Sequence, residues 1–143
     1  MTAVLLASGA AFGALAAVVA AWIGFAITGQ AFVLYHHSLL PLVALVGGVL
    51  GAPLLPAAMW LLLRRVPLGV ALAGTFAAAV LGGIAGWVLP GTPDDVWWGS
   101  APLLSLQSTH GVLGGLVGFC LAAVMLRVKF SSRREMAAAR VAV

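Results

Sequence analysis

Four long apolar runs, separated by short polar breaks, make up most of the chain. They cover residues 4–27, 39–63, 67–89 and 102–126. A helix of about 20 apolar residues crosses the roughly 30 Å hydrocarbon core of a bilayer. Each run is long enough, so the pattern predicts an all-α integral membrane protein. Its four transmembrane helices form two hairpins within a single transmembrane domain, residues 1–143. The first run lacks a cationic leader and is too long for a signal-peptide core, so it reads as a retained span. The breaks are residues 28–38, the Arg64-Arg65 turn and the Pro- and Gly-rich loop 90–101. Residues 127–143 form a basic tail, of which 133–140 can continue the helix onto the membrane surface.

Punctuation within the runs refines this picture. Pro41 falls in a first turn, where its missing N–H leaves no helical bond unmade. Pro53 and Pro56 fall inside the second run, and a kink or break is expected there. In the fourth run only 111–126 is purely apolar, so a full crossing takes in Gln107, Ser108, Thr109 and His110 as outer turns. Trp22 and Trp87 lie near the far ends of the first and third runs, as interfacial anchors do.

Small residues recur at steps of four. Gly9, Gly13, Ala17 and Ala21 form one stripe, and Gly74, Ala78, Gly82 and Gly86 another. Gly47 and Gly51 pair in the second run. Gly111 pairs with Gly115, and Gly114 with Gly118, in the fourth. Such stripes let helix backbones approach closely in lipid, so these glycines are predicted packing surfaces. The halves also match at an offset of 64: Leu39-Leu40-Pro41-Leu42 with Leu103-Leu104-Ser105-Leu106, and Phe12 with Phe76. The match suggests a parallel internal repeat about an axis along the membrane normal.

Composition removes the soluble alternatives. The chain is 64% hydrophobic and only 7% charged, against about 25% charged in soluble domains. Mean hydropathy is +1.19. Before Arg64 there is no Lys, Arg, Asp or Glu, and all seven basic residues lie at 64–65 or 127–140. With four spans these two clusters share one side. The positive-inside rule makes that side cytoplasmic, with both termini, in the cell (inner) membrane. The basic balance fits an anionic membrane face, and no nucleic-acid partner is expected. A single cysteine, Cys120, excludes an internal disulfide.

Candidate chemistry gathers on the outer side. His36, His37, Asp94 and Asp95 carry donors suited to zinc or another divalent metal, although no fixed spacing places them on one element. His110 sits one turn inside the outer boundary. It is the candidate contact for a haem, quinone or pigment, or else a hydrogen bonder between helices. No nucleophile–base arrangement and no phosphate loop is present, and the chain reads as a non-enzyme. Three classes of function follow. The first is a structural or accessory subunit of a membrane complex, packing through its Gly/Ala faces against other membrane subunits or itself. The second is a small oligomeric transporter or channel with the outer His/Asp group as its site. The third is a cofactor-binding membrane anchor using His110.

Overall fold

In hydrocarbon no water satisfies a backbone N–H or C=O, so an apolar run closes its hydrogen bonds within itself. The computed structural model describes residues 2–28, 39–89 and 101–141, with side chains at 3–28, 40–89 and 110–132. Among these residues the chain is all helical: α1 is Thr2–Ile27, α2 Leu39–Leu62, α3 Leu68–Val88 and α4 Ala101–Val141. All four are long and apolar enough to span a membrane, and the chain is a small multi-pass membrane protein.

Two helices differ from the sequence pattern. α2 runs unbroken through Pro53 and Pro56. Pro56 frees the carbonyl of Ala52, four residues earlier, from its helical partner. That oxygen lies against Gly9 of α1, where a Cβ would come within 2.8 Å of it. The glycine hydrogen there makes the kind of Cα–H···O contact that recurs at helix interfaces. α4 runs without a break from the fourth span through Arg127 to Val141 as one helix of 41 residues, so that 133–140 continues it as the sequence allowed and 127–132 does too. At 1.5 Å per residue it is about 60 Å long, roughly twice the hydrocarbon core. No Gly or Pro follows residue 126, and Arg, Lys, Met, Glu and Ala are good helix formers, so nothing local ends it.

The Arg64-Arg65 turn is tight and tied down. Arg65 and Val66 donate backbone N–H to the Leu62 carbonyl at 2.9 and 2.8 Å. Val66 turns inward, 3% exposed, against Leu62 and Ala71. The Arg64 guanidinium stacks 4.9 Å from the Trp60 ring centre. Arg65 donates to the hydroxyl of Ser131 on α4. That bond sets the turn and the basic part of α4 at one end of the bundle.

The hairpins are built on backbone contact. In α1–α2, a Cβ on Gly13 would overlap the Gly47 carbonyl oxygen, and one on Gly47 the Gly13 oxygen. Gly9 and Gly51 repeat this four residues, about one turn, away. In α3–α4, Gly82 and Gly114 face each other reciprocally, Gly86 meets the His110 carbonyl and Gly118 that of Ala78. The hairpins join mainly through α1 and α3, while α2 barely meets α3. Phe12 stacks edge-on against Phe76 at 5.3 Å and Phe119 at 6.2 Å. Towards the arginine end, Leu55, Met59 and Leu62 of α2 pack with Phe119 and Ala123 of α4.

Trp87 is a core residue and not an exposed anchor. It is 5% exposed and lies 4.7 Å from Phe25, between Gly24 and Gly111. Those two glycines leave the slot its indole fills. Trp22 stays exposed.

The internal repeat is not confirmed. Along α1 and α3 one facing pair keeps the offset of 64, Phe12 with Phe76, while Ala20 faces Gly83 and Gly24 faces Trp87 at an offset of 63. The hairpin crossings break it. Gly13 meets Gly47, so a copy at offset 64 would set residue 77 against Gly111. Instead Ala78 meets Gly118, which displaces α4 by about two turns along α3.

Candidate functional site

His110 is placed by the α3–α4 crossing. Its carbonyl oxygen seats against Gly86, which fixes the height of α4, and Gly111 beside it admits the Trp87 indole. Its Nδ1 is buried and has no hydrogen-bond partner among the described residues. A buried polar atom left without a partner costs about 1–3 kcal/mol. Among the described residues His110 is the side chain with a buried polar atom left unpartnered. His36, His37, Asp94 and Asp95 lie outside the described residues. Among the described residues no group of three His, Cys, Asp or Glu side chains comes together.

A cavity of about 70 Å³ lies in the middle of the bundle, where all four helices face it. α1 lines it with Gly13 and Ala16, α2 with Leu54, α3 with Gly83, and α4 with Leu116 and Phe119. Its wall is almost wholly apolar, and it is only partly enclosed. His110 is not part of the wall; the Gly111–Trp87 contact separates the two. The cavity is about half the roughly 150 Å³ that holds benzene in an engineered core. It therefore admits a hydrocarbon chain but no haem or other large planar ring.

The described hydroxyls of α1 and α3 are satisfied within their own helices. Ser8 donates to Val4 O at 2.8 Å, Thr28 to Gly24 O at 3.0 Å, and Thr75 to Ala71 O at 2.7 Å. Thr75 is fully buried and still presents no donor to the interior. This back-bonding uses the hydroxyl proton that a polar pathway would need.

Four features escaped the sequence pattern: the cavity, the inward Trp87, the buried Thr75 and the Arg65–Ser131 bond. Only Trp87 had a signal, the glycines at 24 and 111, and those become neighbours of the indole only in three dimensions. No protein-family model, curated protein or solved structure matches the chain. The functional reading rests on the fold and the site.

Proposed function

We propose that the chain is a non-enzymatic scaffold, a structural or accessory subunit of a membrane complex in the cell (inner) membrane. Its arginine-bearing end and both termini face the cytoplasm. One observation carries the reading: the interior is closed by backbone contact and filled with hydrocarbon. Gly13 against Gly47 and Gly82 against Gly114 leave no space for a polar solute between the paired helices. The remaining cavity is apolar. A transporter or channel fits this interior poorly, because a polar solute loses its water there without compensation.

The glycine faces are turned towards each other within the chain, which alters how a partner is met. Contact falls to the bulky outer surface, including Trp60, Leu121 and Val124, and to α4 beyond the span. The test is extraction of the tagged full-length chain from its native membrane in mild detergent. A complex of fixed stoichiometry is expected. A lone chain, both in detergent and after cross-linking in the membrane, contradicts the reading.

A second reading has its own observation. The unpartnered Nδ1 of His110 favours a cofactor-binding anchor, for a haem, quinone or pigment held at the outer end and outside the cavity. His110→Gln separates the two. Gln donates and accepts hydrogen bonds but does not reproduce an imidazole ligand. The scaffold reading expects an unchanged absorption spectrum and unchanged complex yield. Loss of a chromophore or metal from a folded chain establishes the anchor.

A further inference from the structure

The central cavity lies between two closed layers of the bundle. On the outer side Phe25, Val43 and Trp87 pack together from α1, α2 and α3, each at most 5% exposed. On the arginine side Leu55, Met59 and Leu62 of α2 pack with Phe119 and Ala123 of α4. Neither end is open to water, so whatever opening the cavity has is lateral. Among its lining residues Leu54 is ten residues from Arg64, and Leu116 is eleven from Arg127. At 1.5 Å per residue each separation is about 15 Å, half of a roughly 30 Å hydrocarbon core. The opening therefore meets the hydrocarbon of the bilayer.

The cavity exists because one layer of the core is built from small side chains. Rings fill the layers on either side, Phe25 with Trp87 and Phe12 with Phe119. Between them α1 presents Ala16, Ala17 and Ala20, facing Gly83 of α3 and Gly115 of α4. The chemistry of this layer decides what it holds. About 70 Å³ is room for several waters, since roughly 10–15 Å³ of such volume holds one. A buried water also needs about two to four polar partners, and the wall offers almost none. Water and ions are refused by chemistry, and a six-membered ring by size, because benzene sits in a cavity of about 150 Å³.

We propose that the centre of the bundle is a binding site for one slender apolar guest of a few heavy atoms, taken from the hydrocarbon phase. The guest is a small apolar molecule dissolved in the bilayer or the methyl end of an alkyl chain; the two present the same chemistry to the wall. It touches both hairpins at once and fills the layer that their small residues leave open. Selection is by width and by the absence of polar groups, with no charge involved.

The probe is xenon, an apolar atom that enters dry cavities, applied under pressure to crystals of the full-length chain. One anomalous-scattering peak is expected, in contact with Ala16, Leu116 and Phe119. Xenon pressure should also raise the unfolding temperature of the unaltered chain, because the guest binds the folded state. Ala16→Leu puts a larger side chain into the cavity and should abolish the peak. Leu116→Ala is the second variant, in case the first does not fold: it enlarges the cavity, which should then take a benzene that the unaltered chain excludes. Density in unpressurised crystals separates the two sources. A tube running out into the lipid marks an alkyl chain end, and density confined to the cavity marks a free small molecule. Ordered water at the site overturns the proposal. So does a site that takes neither xenon nor an alkyl chain, or a xenon peak undiminished in Ala16→Leu.

Discussion

Gly114→Ala is the smallest change that tests how the second hairpin is held. The added Cβ would overlap the Gly82 carbonyl oxygen, with the Gly82 carbonyl carbon at 3.0 Å and Gly86 Cα at 3.2 Å. All three are backbone atoms on a helix, so no side chain can rotate away. Relief requires α3 and α4 to separate by about 1 Å, a gap that forfeits a quarter to a half of each dispersion contact at the crossing. With some 20 to 30 atom pairs at roughly 0.1–0.2 kcal/mol each, the loss is about 1 kcal/mol. The reciprocal Cα–H···O contacts of Gly82 and Gly114 add about 0.5–1 kcal/mol apiece. The expected destabilisation is about 2–3 kcal/mol. Gly69→Ala is the control, because nothing lies within 4 Å of its Cβ position. That change should be neutral or stabilising by up to about 1 kcal/mol through helix propensity. Reversible unfolding in mixed micelles with rising dodecyl sulfate measures both. Equal midpoints for the two variants would refute backbone contact at Gly82–Gly114.

Other outcomes follow from the same geometry. Single cysteines introduced at Arg64 and Arg133 should react with an impermeant maleimide only from the cytoplasmic side, and those at His36 and Asp94 only from outside. Labelling of positions 64 and 94 from one side would sink the four-span topology. Trp87→Ala should destabilise by about 2 kcal/mol, below the 3–5 kcal/mol of water-soluble cores, because lipid tails are as apolar as the protein interior. A neutral result in the same dodecyl sulfate titration would return Trp87 to the interface.

The four spans and their hairpins were legible because the bilayer imposes length and apolarity on each helix separately. Pairing was not legible in the same way. The stripes at Gly9/Gly13 and Gly82/Gly86 announce close approach, yet nothing in a stripe says whether its partner is another helix of the chain or another protein. Trp22 and Trp87 hold matching places in their runs and differ only because Gly24 and Gly111, from two other helices, meet beside the second. Pro53 and Pro56 read as a break because a freed carbonyl is a local liability. Gly9 meets the one freed by Pro56, and Gly9 lies far away in sequence. Residues 127–143 read as a basic tail with helix possible at 133–140, and the helix-forming character of the residues between carries α4 through to Val141 without a break. At the candidate site, His110 stood out as a polar group inside a span, but its orphaned Nδ1 is a property of the packing around it.

The central claim is that the glycine faces close on each other within one chain. A disulfide tests it directly. The Cβ position at Gly48 lies 3.8 Å from the Ala14 Cβ, the mean separation of about 3.8 Å found across native disulfides. The variant Ala14→Cys with Gly48→Cys, in a Cys120→Ala background, should oxidise in native membranes to a bridge within a single chain. It should migrate as a monomer on a non-reducing gel, with the bridged peptides found by mass spectrometry. A disulfide-linked dimer, or no bridge under conditions that oxidise an exposed pair, would contradict the account.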